Sequence, residues 1–326
     1  MGRVSPWVTA GGVGALVVAD VALIVLAVLH VRVDPDLDRA PTPADGTASV
    51  DAQPSRTPSK TPTDDDSRRP AGDSRPEKPA PLDTGPVLLD NAVDGTVVRA
   101  ARGECSDTTG SSSPDPVVEV STDDGRSFGQ VDLGSPLDAV LRVSVSAADD
   151  LVVIGAGQTC DLTVYQSSDA GETWTASAGT YGAWHLSAGG GRKVHAPVGP
   201  VTIGCRVASL SVITDSAARV LCAEGDLQGT ANGGFEWVSL GALDGAVDIA
   251  YVTPVEAWAV AASGDCSAAV ARTVDGGTEW EQTACIDEGG EGVEPQAVAS
   301  AGGVVLVQAG GRVLSSDDGG RSFTEP

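Results

Sequence analysis

The sequence predicts an all-β fold, a β-propeller of four-stranded antiparallel blades, and three observations lead to this prediction. An eight-residue pattern occurs five times between residues 121 and 323 of the 326-residue chain. Its third residue falls at positions 123, 169, 232, 275 and 318, so the intervals are 46, 63, 43 and 43 residues, which is the period of a propeller blade. Short β-branched or Ala/Val runs, separated by Gly, Asp, Asn and Ser, fill the intervals.

The pattern reads Ser/Thr, any residue, Asp/Asn, any residue, Gly, any residue, Ser/Thr/Glu, and Trp/Phe. Its acid can accept backbone N–H groups of its own turn, its hydroxyl can add a further bond, and its glycine takes the left-handed conformation. Each copy is therefore predicted to staple a hairpin, with the aromatic residue packed between blades. The defining residues are Ser121, Asp123, Gly125, Phe128, Ser167, Asp169, Gly171, Trp174, Thr230, Asn232, Gly234, Trp237, Thr273, Asp275, Gly277, Trp280, Ser316, Asp318, Gly320 and Phe323.

One repeat shows the predicted blade in full. After residue 245 the chain reads GAVDIAYVT, EAWAVAASG, SAAVARTVDGG and TEWEQTA, which are four strands with the pattern at the third turn. Five copies predict five blades. The longest interval holds about 20 extra residues, AWHLSAGGGRKVHAPVGPVTIG, which form either a long hairpin or an incomplete sixth blade. We also expect the segment GPVLLDNAV to pair within the ring and close it.

With this pattern at this spacing, residues 87–326 resemble the Asp-box (bacterial neuraminidase repeat) β-propellers. That superfamily includes sialidases, sortilin-type receptor ectodomains and photosystem II assembly-factor propellers. The resemblance implies the propeller fold. It also implies that the Asp boxes lie at the blade periphery, away from the central site, so they indicate architecture and not catalysis.

The resemblance suggests sialidase activity. Those enzymes need three converging arginines, a Tyr–Glu nucleophile pair and an Asp acid/base. The early Arg-Ile-Pro signature of those enzymes is missing, and Tyr165, Tyr181 and Tyr251 stand in no catalytic context. The arginines that could in principle converge are Arg102, Arg142, Arg206 and Arg272. We therefore predict no catalytic residues and a non-catalytic protein- or ligand-binding module. A sialidase-like glycoside hydrolase or glycan-binding protein, with Trp184 or Trp258 as a sugar platform, and an assembly factor of the photosystem II type are the alternatives.

The N-terminal quarter of the chain, residues 1–86, differs in composition from the rest. Residues 1–33 hold about 25 mostly apolar residues, Trp7 to Val31, enough to cross a hydrocarbon layer. The run ends without small residues at a cleavage site, which favours an uncleaved anchor over a signal peptide. Residues 34–86, rich in Pro, Asp, Ser and Thr, predict a disordered linker. Residues 87–326 form the propeller. Gly11, Ala15 and Ala19 could pair two membrane helices into a homodimer.

Charge and residue types limit the partners. Residues 87–326 carry 33 Asp and Glu against 11 Lys and Arg, a net charge of about −22, which argues against nucleic acid. We expect a protein or small ligand at a propeller face, and membrane contact through the N-terminal helix. The chain has three histidines and no Cys-x-x-Cys pair, so no metal site and no cofactor are predicted.

Six cysteines, all in the propeller, predict disulfides and an oxidising compartment. Cys266 and Cys285 have their midpoint at a pattern turn, so they should face each other across that hairpin. Cys205 and Cys222 flank a hairpin that turns near TDSA, and Cys105 and Cys160 follow equivalent strands of adjacent blades. This predicts a single-pass plasma-membrane protein with a cytoplasmic N-terminus and an extracytoplasmic propeller. Reduced thiols in a cytosolic propeller are the alternative.

Overall fold

The computed structural model of the chain describes residues 82, 86–103, 105, 116–180, 182–263, 266–286 and 294–326. The predicted membrane segment and all of the predicted linker except Leu82 and Pro86 lie outside these ranges. No helix among the described residues is long and apolar enough to cross a membrane.

The described residues form 22 strands in six antiparallel sheets, each of which is one blade. Blade 1 comprises β1 (Val87–Asn91), β2 (Val97–Ala101), β3 (Val118–Ser121) and β4 (Gly129–Gln130). Blade 2 comprises β5 (Ala139–Ala147), β6 (Asp150–Ala156), β7 (Leu162–Ser167) and β8 (Thr175–Ala178). Blade 3 comprises β9 (His185–Leu186), β10 (Lys193–Ala196) and β11 (Gly199–Thr202). Blade 4 comprises β12 (Val207–Val212), β13 (Ala218–Cys222), β14 (Asp226–Thr230) and β15 (Val238–Ala242). Blade 5 comprises β16 (Ala246–Tyr251), β17 (Ala257–Ser263), β18 (Cys266–Thr273) and β19 (Glu281–Cys285). Blade 6 comprises β20 (Pro295–Ala301), β21 (Val304–Ala309) and β22 (Arg312–Ser316).

The propeller has six blades, so the prediction of five was wrong and the six-blade alternative is correct. The additional sheet is blade 3, which lies in the longest interval between pattern copies. It was missed because counting pattern copies counts only blades that have a pattern turn. Blade 3 is a three-stranded sheet whose first strand has two residues, and none of its turns contains the pattern.

The first strand of each blade lines the centre, and each of these strands contacts the next around the ring. β1 contacts β20 of blade 6, which closes the ring. The segment GPVLLDNAV does pair within the ring, since β1 is antiparallel to β2 over residues 87–91 and 97–101. Blade 6 continues past β22 through an isolated bridge between Ser315 and Thr324.

Apolar side chains pack between neighbouring blades, so that both faces of most blades are buried. Val260 and Val270 of blade 5, for example, form one cluster with Val298, Val305 and Val307 of blade 6. Burying such side chains contributes about 1.5–3 kcal/mol each relative to exposure, so these interfaces hold the ring together.

The propeller has two chemically different ends. Because successive strands run in opposite directions, the turns after the first and third strands of a blade lie at the same end. In blade 5 the Gly276 amide, in the third turn, donates to the carbonyl of Val255 in the first turn at 2.9 Å. We call this the motif end. The six cysteines lie at the opposite end, which we call the disulfide end: Cys222, Cys266 and Cys285 at strand ends, and Cys105, Cys160 and Cys205 in the loops there.

Candidate functional site

The pattern turn of blade 5 is held by its own hydroxyl and carboxylate. The Thr273 hydroxyl accepts the Gly277 N–H at 3.0 Å and donates to Asp275 Oδ1 at 2.8 Å. The same carboxylate oxygen accepts the N–H groups of Thr278 and Glu279, each at 3.0 Å. The bond from the Glu279 N–H is the main reason that the pKa of Asp275 lies below its usual range.

The other four turns repeat this arrangement. The glycine amide at the fifth position donates to the Ser or Thr hydroxyl at the first, at 2.9–3.2 Å. The five glycines have φ between 79° and 101°, a region that disfavours any residue with a Cβ. Asn232 stands in for the acid in blade 4 and accepts the Glu236 N–H at 3.0 Å.

The closing aromatic residue of each pattern packs against the preceding blade. Trp280 of blade 5 packs with Leu221 and Leu227 of blade 4, and donates its Nε1–H to Gly277 at 3.2 Å. Phe128 of blade 1 packs with Leu306 and Val313 of blade 6. The polar groups of the turns are engaged within the turns themselves, so a functional site has to be sought elsewhere in the propeller.

The central channel of the propeller is the second candidate for a functional site. It encloses a cavity of about 180 Å³ lined by the innermost strands. Four charged side chains are among the lining residues: Asp90, Arg102, Arg142 and Asp248.

Both channel acids serve as links between blades. Asp90 of blade 1 accepts the Val145 N–H of blade 2 at 3.0 Å, and its other oxygen accepts the Asn91 N–H at 3.0 Å. Asp248 of blade 5 accepts the Val298 N–H of blade 6 at 2.8 Å and the Ser209 hydroxyl of blade 4. Burial raises the pKa of each carboxyl to about 6. Sequence analysis missed both acids, although each is a lone carboxyl inside an apolar strand, VLLDN and AVDIAY.

The four arginines considered for a sialidase site do not come together. Arg102 lines the channel and donates to the Ala208 carbonyl at 3.2 Å, and Arg142 donates to the Trp184 carbonyl at 3.1 Å. Arg206 is exposed on the link to blade 4 and is not part of the channel lining. Arg272 lies on β18 and forms an ion pair with Glu256 at 2.5 Å.

The tyrosines offer no nucleophile among the described residues. Tyr251 touches the channel, but its hydroxyl donates to the Gly276 carbonyl at 3.0 Å, and burial raises its pKa to about 12. Tyr165 is buried in the interface between blades 1 and 2. Tyr181 lies outside the described residues.

Neither tryptophan considered as a sugar platform for the glycan-binding alternative is available to a sugar. Trp184 is 2% exposed and Trp258 is 5% exposed. Trp184 packs edge-on against Trp237, with ring centroids 6.0 Å apart. Its Nε1–H donates to the backbone carbonyl of Asp215 in blade 4 at 3.0 Å. It stabilises the junction of blades 3 and 4, where a large aromatic residue fills the space beside a small blade.

His185 and His195 are a cross-strand pair in blade 3 with rings stacked 4.5 Å apart. His185 is engaged at both nitrogens, with the Leu186 carbonyl at 2.7 Å and the Thr180 hydroxyl at 2.9 Å. Burial lowers its pKa to about 4, so it is neutral at physiological pH. The described residues contain no group of three or more side chains placed to hold a metal ion.

The three predicted disulfides are present, and each has a Cα–Cα distance of 5.7 Å. Cys266–Cys285 joins the third and fourth strands of blade 5, and Cys205–Cys222 ties the entry of blade 4 to its second strand. Cys105–Cys160 joins blades 1 and 2. The register partner of Cys222 is Val207, two residues beyond Cys205.

No protein-family model and no curated protein matches the sequence. Solved structures with a similar arrangement include a GH74 xyloglucanase from Xanthomonas campestris, 19% identical over 73% of this chain and 37% of that one, with a TM-score of 0.33. YCF48 bound to a D1 peptide is 17% identical over 61% and 72% of the two chains, with a TM-score of 0.40. The Hadza microbial sialidase Hz136 is 15% identical over 71% and 50%, with a TM-score of 0.35. The chain thus spans about a third of the xyloglucanase and half of the sialidase, and at this level of similarity these neighbours assign no function.

Proposed function

We propose that this chain is a membrane-tethered, extracytoplasmic β-propeller that acts as a non-catalytic binding module. The main support comes from the channel. The ionisable side chains there that could act in catalysis form hydrogen bonds that join the blades. Asp90 and Asp248 each accept two hydrogen bonds, from the amides and hydroxyl described above.

A catalytic carboxylate has to reach a substrate atom at hydrogen-bond distance. Moving either channel acid toward a substrate would leave a buried backbone amide without its acceptor, at a cost of about 1–3 kcal/mol. Arg102 and Arg142 are likewise engaged with carbonyls, and the cavity of about 180 Å³ is smaller than the 300–1,000 Å³ that is usual for ligand pockets. A binding role for an outer surface fits these features better than turnover inside the channel.

Location outside the cytoplasm is supported by the disulfides. Three bridges among six cysteines are typical of oxidising compartments and rare in the cytosol. With an apolar run long enough to span a membrane at Trp7 to Val31, this favours a single-pass protein whose N-terminus is cytoplasmic. Pairing of two such helices through Gly11, Ala15 and Ala19 stays part of the proposal.

An assembly role of the photosystem II type would favour a basic patch that crosses several blades. Among the described residues, the exposed cations outside the motif end are Arg192, Lys193 and Arg206, which lie on blade 3 and its link to blade 4. They do not extend across the ring, so we keep the general binding module as the proposed function.

The test uses the full-length chain in two assays. In the first, purified protein is incubated with a fluorogenic sialoside and with xyloglucan oligosaccharides, and we expect no turnover above a blank. In the second, intact cells are treated with a membrane-impermeant cross-linker, and we expect the propeller to be cross-linked to a partner. Turnover that disappears in Arg142→Met would overturn the non-catalytic assignment, and lack of any cross-linking from outside the cell would overturn the location.

A further inference from the structure

The large hydrophobic side chains that remain exposed in the described residues share one end of the propeller. Seven of the eight lie in a turn of the motif end or on the strand residue next to it, and Val198, in the turn after the second strand of blade 3, lies beside the pattern turn of blade 4: Val93, Val198, Phe235, Val238, Val252, Val255, Val274 and Val304. We propose that five of them, Val198, Phe235, Val252, Val255 and Val274, form a docking surface for a basic protein segment that carries apolar side chains. We call these five residues the apolar arc. The inference rests on the proposed binding function and specifies its surface and partner chemistry.

The turns that carry the arc belong to the consecutive blades 3, 4 and 5 and contact one another. Val198 of blade 3 lies against the turn of blade 4 that carries Phe235, since a Cβ on Gly233 would sit 3.8 Å from Val198 Cγ1. Arg219 of blade 4 donates to the carbonyl of Pro254, which stands between Val252 and Val255 in blade 5.

The turn of Val255 is joined in the same way to the turn that carries Val274. The Gly276 amide donates to the Val255 carbonyl at 2.9 Å, two residues after Val274. Backbone and guanidinium bonds therefore hold the turns of the arc in place before any partner arrives, which lowers the entropy cost of binding.

Comparison of the five pattern turns shows that the fold does not require these apolar residues. The sixth pattern position holds Phe235 in blade 4, but the other four blades have polar residues there: Arg126, Glu172, Thr278 and Arg321. The second position holds Val274 in blade 5, and small or polar residues elsewhere: Thr122, Ser168, Ala231 and Asp317. Phe235 is 77% exposed and Val274 is 64% exposed. Two adjacent blades thus expose a large apolar side chain at positions where the same turn is stable with a polar or small one.

The turns that carry the arc in blades 4 and 5 are acidic, and Arg272, one residue before the blade 5 pattern turn, is paired with Glu256. The turns of blades 4 and 5 at the motif end, residues 213–217, 231–238, 252–256 and 274–280, contain no Lys or Arg. They expose Asp215, Glu236, Asp275 and Glu279. A partner that buries Phe235 must approach these carboxylates, so a segment with Lys or Arg beside its apolar residues is favoured. A second copy of this chain is disfavoured, because its own arc has the same negative rim.

Affinity for a designed probe tests the proposal. The full-length chain is placed in nanodiscs of zwitterionic lipid, and empty nanodiscs are the blank. The probe is a fluorescein-labelled 16-residue peptide of Leu and Lys, compared with one in which Glu replaces Lys and one in which Ser replaces Leu. We expect the Leu/Lys peptide to bind at least about tenfold more tightly than either, and binding to weaken as salt is raised.

Substitutions locate the binding surface. Phe235→Ser with Val274→Ser should weaken binding of the Leu/Lys peptide at least about tenfold, because the aromatic anchor is lost. The matched control, Val93→Ser with Val304→Ser, removes exposed valines of the same end outside the arc and should leave the affinity unchanged. Circular dichroism and thermal unfolding check that each variant is folded. If the arc variant fails to fold, Glu236→Lys with Glu279→Lys replaces it, and should also weaken binding at least about tenfold by repulsion.

Equal effects of arc and control variants, or equal binding of the Glu-containing peptide, would overturn the proposal. Sedimentation equilibrium tests whether a second copy of the chain occupies the arc instead. A dimer that Phe235→Ser abolishes would assign the arc to a second copy and overturn the proposed partner chemistry. Cross-linking in cells separates this inference from the proposed function. If a partner is cross-linked equally to the wild type and to the arc variant, the binding module stands and the arc is not its surface.

Discussion

The backbone amide of Val298 in blade 6 donates a hydrogen bond of 2.8 Å to the carboxylate of Asp248 in blade 5. The hydroxyl of Ser209 in blade 4 donates to the other oxygen of the same carboxylate. One side chain therefore connects three neighbouring blades at the centre of the ring. Because this carboxyl is half-buried at the centre of the ring, its charged form is penalised and its pKa rises to about 6.

This shift predicts that the free energy of unfolding falls between about pH 4 and pH 7. The unfolded carboxyl has the ordinary pKa of 3.8, so the folded state binds the proton more tightly. The resulting stabilisation is fully present below the unfolded pKa and is lost as pH rises through the folded one. The difference between the pKa of Asp248 in the unfolded chain, 3.8, and its pKa of about 6 in the folded protein corresponds to about 3 kcal/mol, and Asp90 acts in the same direction.

Asp248→Asn tests this dependence, because the amide cannot ionise but can accept from Val298 and donate to Ser209. Urea unfolding at pH 4.5, 6 and 7.5 should show a smaller loss of stability with rising pH in the variant than in the wild type. Asp244→Asn, at an exposed acid in the preceding loop, is the control and should follow the wild type. Parallel curves for wild type and Asp248→Asn would show that this group does not ionise between pH 4 and 7.

Removing one hydroxyl should test the hairpin staple. Thr273→Val keeps the shape of the side chain but removes the hydroxyl that accepts the buried Gly277 N–H. In the wild type this hydrogen bond is 3.0 Å long. We expect the free energy of unfolding to fall by about 1–3 kcal/mol, the usual cost of an unsatisfied buried donor. Chemical unfolding measures it. Thr122→Val, which changes an exposed threonine in the turn of blade 1, should have little effect, and equal losses for both would contradict the staple.

The three disulfides should contribute unequally to the free energy of unfolding, because they close loops of different length. Cys105–Cys160 spans 55 residues, whereas the other two span 17 and 19. The chain-entropy estimate is about 4 kcal/mol for the long loop and about 3 kcal/mol for each short one. Replacing both cysteines of one bridge by Ala, one bridge at a time, should therefore destabilise most at Cys105–Cys160, as measured by urea unfolding.

Peptide mapping under non-reducing conditions is the accompanying measurement, on protein purified from its native membrane. All three bridges should be recovered intact. Free thiols at Cys266 and Cys285 would contradict both that pairing and the proposed extracytoplasmic location. A smaller loss for the Cys105–Cys160 variant than for the other two would instead contradict the entropic ranking.

Local patterns predicted much of this fold, because the features that specify a blade are close together in sequence. The turn residues from Thr273 to Trp280 and the spacing of Cys266 and Cys285 lie within one hairpin, so their contacts follow from the repeat itself. Blade 3 was predicted only as one of two alternatives, an incomplete blade or a long hairpin, because its contacts depend on the neighbouring sheets. Trp184, for instance, is buried by Trp237 and by the Asp215 turn of blade 4.

The channel could not be predicted for the same reason. The acceptors of Arg102 and Arg142 are carbonyls that lie far away in sequence, at Ala208 and Trp184. Exposed apolar residues such as Phe235 are also invisible to periodicity, because a turn residue can point either inward or outward. Only the positions of the neighbouring turns show that Phe235 and Val274 lie on the same surface.

A buried ion pair gives the last prediction. Arg99 of β2 is fully buried, and its Nε donates to Glu119 of β3 at 2.6 Å while its guanidinium lies 3.8 Å above the ring of Phe128. Removing one partner leaves an uncompensated buried charge, so Glu119→Leu should destabilise by about 3–5 kcal/mol. Arg99→Leu combined with Glu119→Leu removes both charges and should recover part of this loss, since an apolar pair of similar volume is often neutral. Urea unfolding of the wild type, both single variants and the double variant gives the coupling energy. Losses that simply add would show that the two charges do not stabilise each other.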